Sequence, residues 1–246
     1  MEEQKGDWFE TWFDTSYYHI LYQNRDFSEA ERFINNLLGH LNLSKNANCL
    51  DLACGKGRHS IFINKKGYKV TGVDLSANSI SEAKPFENET LSFDTHDMRE
   101  VYKENAYDVI FNLFTSFGYF DDYQDNLKVL NSINKMLVND GLVVIDFMNA
   151  DFVLDHLVQK EVKTLDGIDF NITKSYDGKH IFKNIDFSDK GKEHHFQEKV
   201  QAIKKEEFES LLEEAGFEIQ NIYGDFSLSP FNKKDSDRLI IIAKKK

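Results

Sequence analysis

Residues 50–60 read Leu-Asp-Leu-Ala-Cys-Gly-Lys-Gly-Arg-His-Ser. A short apolar run, Asn48–Leu52, leads into a turn carrying Gly55 and Gly57, and a helical pattern follows over Gly57–Lys66. A glycine turn between strand and helix presents bare backbone N–H groups to an anion. This turn is entered through a carboxylate, Asp51, which a pyrophosphate would find repulsive. The ligand that suits it carries a negative and a positive group side by side.

Working outward, apolar β-prone runs alternate with helical patterns as far as Phe147, the signature of parallel βαβ units. Strands are expected at Asn48–Leu52, Lys69–Val73, Thr90–Thr95, Tyr107–Leu113 and Leu142–Phe147, and helices at Gly57–Lys66, Ala77–Lys84 and Tyr123–Leu137. Right-handed crossovers then give an α/β, doubly wound, Rossmann-like sheet, whose ligand crevice opens at the strand C-termini where the strand order reverses. Before this core, Trp8, Trp12, Tyr18 and Tyr22 recur near helical spacing, and Ser28-Glu-Ala-Glu31 fits a capping box ahead of Phe33, Ile34, Leu37 and Leu38. An N-terminal helical lid over the crevice is expected.

From about Glu161 to Ile203 the pattern changes to strand alternation, as in Ile168-Asp-Phe-Asn-Ile172, broken at Asp177-Gly178 and Lys190-Gly191. Those breaks are hairpin signals, so an antiparallel β meander is inserted into the α/β frame. A helix over Lys205–Ala215, a strand over Phe217–Phe226 and a last strand over Arg238–Lys244 close the chain. The expected division is one domain, 1–246: a helical lid at 1–44, a core at 45–157 and 204–246, and a β insertion at 158–203.

Composition bounds the partners. The 246 residues are 41% hydrophobic and 13% aromatic with two prolines, too rich in packing residues for disorder. A net charge of −12 sets up a field that repels nucleic-acid phosphates. No run is apolar enough to span a membrane, and Met1-Glu-Glu-Gln-Lys-Gly-Asp7 lacks the basic-then-apolar order of a signal peptide. Cys49 and Cys54, the two cysteines, flank one strand end, where a mutual disulfide would distort the turn. Reduced thiols and a cytoplasmic location are the expectation. No metal is expected: His194 and His195 point to opposite faces of a strand, and nothing completes a ligand set.

Asp74 ends the second expected strand, where a carboxylate accepts both hydroxyls of a ribose. Asp94-Thr-His-Asp-Met-Arg-Glu100 follows the third, and Tyr107–Phe120 runs from the fourth into an aromatic loop. A dinucleotide fingerprint would want glycine where Ser60 stands and has no use for Asp51. S-adenosyl-L-methionine (SAM) has an ammonium for Asp51, a carboxylate for the turn amides and a sulfonium that prefers an electron-rich site.

At these residues the chain resembles the class I SAM-dependent methyltransferases, with Ala53 at a position more usually glycine. The resemblance implies a seven-stranded sheet with a reversed final hairpin. It also implies that Asp51, Gly55 and Gly57 hold the methionyl end, with Ala53 and Cys54 of the same turn against the cofactor, Cys54 as a small packing residue and not a nucleophile. Asp74 would hold the ribose, Leu75 an adenine face, Asp97 with Met98 the adenine edge, while Asn112 adds a further contact and Tyr18 closes over the cofactor. His96-Asp-Met-Arg99, then Phe114-Thr-Ser-Phe-Gly-Tyr119 and a late β insertion, is similar to the branch holding amino-sugar N-methyltransferases, with glycine N-methyltransferase more distant.

Methyl transfer from SAM to a small molecule needs alignment and desolvation more than acid–base help. An oxygen acceptor would require a base or a metal, and the sequence names no obvious one beyond Tyr119, His96 and Asp121 on the expected rim, so a nitrogen acceptor is favoured. The alternatives are an NAD-dependent oxidoreductase on the same sheet and a non-catalytic module that holds SAM or its product S-adenosyl-L-homocysteine. His19, His59 and Arg25 read as surface or supporting groups. The meander is expected to form either a wall of the acceptor pocket or the contact of a homodimer.

Overall fold

The structure is a computed structural model that describes residues 12–13, 15–23 and 27–246. Trp8, Arg25 and the Ser28 side chain lie outside what it describes. Five parallel strands form the heart of the main sheet: β1 (Asn48–Leu52), β2 (Lys69–Asp74), β3 (Leu91–Thr95), β4 (Tyr107–Asn112) and β5 (Leu137–Met148). Four further strands, β6 (Lys160–Leu165), β7 (Ile168–Tyr176), β8 (His180–Asp189) and β9 (Lys192–Gln201), pair in sequence order as a separate antiparallel sheet. The chain then adds β10 (Phe217–Tyr223) and β11 (Arg238–Lys245) to the main sheet, with β11 antiparallel to β5. The seven-stranded order is β10-β11-β5-β4-β1-β2-β3. The strand order therefore reverses between β1 and β4.

Alternation along each central strand sends neighbouring side chains to opposite faces. In β4, Val109 and Phe111 enter one core and Ile110 the other; in β11, Ile240 and Ile242 oppose Leu239 and Ile241. The first face is covered by α2 (Phe27–Leu41), α3 (Arg58–Lys65) and α4 (Ala77–Ala83), through Phe33, Leu37, Ile63 and Ile80. The second is covered by α5 (Tyr123–Met136) and α7 (Lys205–Glu214), through Leu130, Ile133, Phe208 and Leu212. These side chains are buried almost completely, each contributing roughly 1.5–3 kcal/mol. A short α6 (Ala150–Asp155) follows β5.

The main departure from expectation is the start of β5. Asn139-Asp140-Gly141 reads as a turn, which delays the expected strand to Leu142. The structure instead absorbs it as an irregularity within the strand: Tyr107 pairs with Leu137 and Val109 with Leu142, and Asp140 takes φ +59°. The meander also gains a strand, because Asp166 (φ +50°) and Gly167 (φ +79°) make a two-residue hairpin turn between β6 and β7.

The meander is not left with a wet face. Ile168, Phe170, Ile172, Ile185 and Phe187 form one buried cluster with Trp12 and Leu21, so β7 and β8 pack on α1 (Ser16–Leu21). Ile181 lies on the same face of β8 but is only half-buried. No helix among the described residues is long and apolar enough to cross a membrane.

Candidate functional site

A cavity of about 590 Å³ opens above the C-terminal ends of the parallel strands. Its floor is the glycine turn. Gly55 has φ +55°, and a Cβ built there would have no atom within 4 Å, so the backbone faces open space. Ala53 shares the left-handed conformation at φ +64°. Gly57 serves a different purpose from the expected one. It does not line the cavity; a Cβ there would sit 2.4 Å from the Phe93 ring, so its role is to let α3 approach β3.

Asp74, at the end of β2, is fixed by two backbone donors. Gly55 N–H donates to Oδ2 at 2.8 Å and Ser76 N–H to Oδ1 at 2.9 Å. Leu75, next in the chain, lines the cavity and is unusually exposed for a leucine beside a core strand, at 37%.

Asp51 is buried at 1% exposure and accepts a 2.5 Å hydrogen bond from the Ser60 hydroxyl. Burial pushes its carboxyl up to about 6, against the opposing pull of Ser60 and of the Arg58 charge. Ser60 thus occupies the place of a packing glycine because it holds Asp51. Cys54 lines the same turn, and burial drives its thiol well above the ordinary range, which makes it a packing group.

His96, Asp97 and Met98 reach the cavity from beyond β3. Asp97 is held by Arg99, whose Nη2 donates at 2.6 Å, whose Nε lies within 3.1 Å of both oxygens, and whose backbone N–H donates at 2.9 Å. Burial works to raise its carboxyl, but Arg99 prevails and holds it below the usual range. The His96 ring is engaged with the Glu100 carbonyl at 2.9 Å. Tyr119 lines the cavity, its ring 5.7 Å from Phe13.

Two expected residues lie elsewhere. Asn112 is fully buried and does not line the cavity; its Nδ2 donates to the Leu52 carbonyl, joining β4 to β1. The Asp121 side chain is 70% exposed and pairs with Lys199 and His180 outside the cavity wall.

The opposite wall comes from α1 and the meander. Phe13, Tyr18, His19 and Tyr22 line it from the N-terminal side, and Glu198 and Val200 from β9. Glu198 accepts from the Trp12 indole at 2.8 Å and from the Tyr22 hydroxyl at 2.6 Å. Arg58, on the first turn of α3, also lines the cavity, with its guanidinium 4.9 Å from the Phe114 ring centroid and 3.2 Å from His59. Phe114 (φ +57°) and Thr115 (φ +61°) are both left-handed, a strained pair that needs support. Asp146 supplies it: buried in β5, it accepts from Phe114 N–H at 2.9 Å and pairs with Arg238 at 2.7 Å. Burial raises the Asp146 carboxyl, with Arg238 opposing. Sequence reading missed Arg58, although it stands directly after Gly57, and missed Glu198, which no local pattern marks.

A sequence model described as a methyltransferase domain matches residues 22–222. The chain belongs to this methyltransferase family. It is 28% identical to the glycine/sarcosine N-methyltransferase of Aphanothece halophytica, over 92% of this chain and 85% of that one. The fold of the methyltransferase superposes on a SAM-dependent methyltransferase from Clostridium acetobutylicum ATCC 824 with TM-score 0.79, at 20% identity and covering 93% and 96% of the two chains. It superposes on the sugar N-methyltransferase KedS8 from Streptoalloteichus sp. ATCC 53650 with TM-score 0.74, at 18% identity and covering 100% and 97%. The cofactor of this methyltransferase is SAM, which supplies a methyl group already activated by its sulfonium, and the donor set of the cavity fits it. The cavity offers a buried acid, Asp51, a guanidinium, Arg58, a backbone surface left open at Gly55, and a backbone-fixed carboxylate, Asp74, beside the exposed Leu75 side chain, groups of the kinds an amino-acid end and a nucleoside call for.

Proposed function

We propose that this enzyme N-methylates a small-molecule amine. The observation that carries the reading is that one cavity joins the glycine turn and Asp74 to a ring-lined wall made by α1 and β9. In this reading Asp51 accepts from the methionyl ammonium, Arg58 pairs with the carboxylate over the open backbone at Gly55, and Asp74 takes the ribose. Leu75 packs on the adenine, Asp97 and Met98 read its edge, and Tyr18 covers the methyl-bearing end. The core at 45–157 and 204–246 binds cofactor, while the N-terminal helices and the insertion at 158–203 form the acceptor side.

Nitrogen is favoured over oxygen on chemical grounds. An amine attacks through its own lone pair and sheds a proton to water, so the protein has to align and desolvate the partners. The glycine/sarcosine relative supports the same choice of atom. The net charge of −12 speaks against nucleic acid as acceptor, and two free buried cysteines agree with work in the cytoplasm. Incubating the enzyme with SAM and pooled metabolites, followed by mass spectrometry, is expected to show an amine that gains one methyl on nitrogen. Methylation confined to oxygen, or tighter binding of NADH than of SAM by calorimetry, would overturn the reading.

A further inference from the structure

Alternation along β9 places His194, Phe196, Glu198 and Val200 on one face. Phe196 packs on Trp12 at 4.5 Å, and the next two residues on that face line the cavity. The Glu198 side chain is only 15% exposed. Its donors are the Trp12 indole N–H and the Tyr22 hydroxyl, which lies 2.6 and 2.8 Å from the two oxygens, and Lys183 stands beside it as an ion pair, Nζ 3.6 Å from Oε2. Lys183 also donates to the Tyr22 hydroxyl, which leaves that hydroxyl to donate to the carboxylate.

An ionised carboxylate has about four acceptor positions, and these two donors fill at most two. A carboxylate removed this far from water is stabilised by every further donor, above all a charged one. Phe13, Tyr18, Tyr22 and Tyr119 line the same space, and ring faces attract cations. Carboxylate and rings therefore favour the same guest, an ammonium or amine N–H. A second carboxylate on that guest would meet Glu198 as a like charge at short range.

We propose that Glu198 determines acceptor specificity, by accepting an N–H of an amine that carries no carboxylate next to its nitrogen. The class selected is an amino alcohol or polyamine, and α-amino acids are rejected. The inference rests on the N-methyltransferase reading and narrows it, setting this enzyme apart from the glycine/sarcosine relative.

The test titrates ethanolamine, putrescine, glycine and sarcosine into protein saturated with S-adenosylhomocysteine. The first two are expected to bind at least about tenfold more tightly than the amino acids, and Glu198→Gln to lose at least about tenfold of that affinity with S-adenosylhomocysteine binding unchanged. Glutamine can still accept from Trp12 and Tyr22, so a purely structural Glu198 would leave amine affinity in place. Lys183→Gln gives an independent reading: removing the balancing cation should tighten amine binding, which a structural role does not predict. Equal or tighter binding of glycine, no amine binding, or an indifferent Glu198→Gln variant overturns the inference and leaves the N-methyl reading standing. Failure of S-adenosylhomocysteine itself to bind overturns both.

Discussion

At the end of the cavity proposed to take the cofactor, the groups are held by backbone: Gly55 N–H and Ser76 N–H fix Asp74, and Cys54 N–H ties the turn to the Val73 carbonyl. At the end proposed for the acceptor they are held by side chains from distant segments, with Trp12 and Tyr22 bonded to Glu198 across 186 and 176 positions of sequence. The first arrangement is local and repeats wherever a strand feeds a helix. The second exists only once the meander has docked on α1. The contrast teaches that, on the proposed reading, cofactor and acceptor chemistry would be separable in this fold, since the segments assigned to one are nearly disjoint from those assigned to the other.

The largest effect expected from that separation comes from removing the meander. Replacing Lys163–Lys199 by a short Gly/Ser linker keeps Val200 and Gln201, which pack on the core, and deletes Glu198 and the cluster over Trp12. Methyl transfer should fall below detection while SAM affinity by calorimetry stays within a few-fold. Retained turnover would break the comparison and assign the meander to a subunit contact, visible by light scattering. A smaller but clean effect is expected from Asp74→Ala, which should weaken SAM by roughly 1–3 kcal/mol, because the proposed charge-assisted ribose bonds and the anchor for Gly55 would be lost together. Acceptor KM is expected to hold, and an unchanged SAM affinity in a folded variant would remove Asp74 from the site.

This division also explains what the sequence made legible. The placement of Asp51, Gly55, Asp74, Leu75, Asp97 and Met98 around one cavity was readable because each stands at or just past the C-terminal end of a strand whose period is plain, and all six line it. Gly57 was readable as a required glycine, but its reason is the Phe93 ring beneath it, a tertiary fact. Asn112 and Asp121 carry the right chemistry and face the wrong way, inward to Leu52 and outward to Lys199. Glu198 sits in a strand of alternating polar residues, Lys192-Glu-His-His-Phe-Gln-Glu-Lys-Val-Gln201, where the inward face cannot be told from the outward one until the register is known.

Acid sharpens the comparison further, since it should act on one end first. The Asp51 carboxyl is raised to about 6 against an unfolded value of 3.8. With the folded value above the unfolded one, the stability it contributes is full below about 4 and lost as pH rises through 6. The ligand feels the opposite sign. A SAM ammonium favours the ionised form, so binding expels a proton at low pH, and SAM affinity should weaken about tenfold from pH 7 to 5. Asp51→Asn should bind weakly and flatten the profile, and calorimetry in buffers of different ionisation heat should register the released proton. A flat wild-type profile would show that the ammonium is held elsewhere.

The smallest effect concerns Ala53, where the backbone-built end departs from its own logic. Its φ of +64° lies in the left-handed region, which costs a residue with a Cβ about 1–2 kcal/mol and costs glycine nothing comparable. Glycine, in turn, widens the unfolded ensemble by about 0.4–1 kcal/mol. The strain term is the larger, so Ala53→Gly should stabilise the folded protein slightly, by up to about 1 kcal/mol, which is a rise in Tm of about 2–4 °C for a domain of this size. The amides of the turn keep their places, because Cys54 N–H remains bonded to the Val73 carbonyl and Gly55 N–H to Asp74, so SAM affinity should not move. Scanning calorimetry decides it. A fall in Tm would mean that the methyl group of Ala53 packs productively against its surroundings, and that even at this end a side chain, not only the backbone, has been fitted to the site.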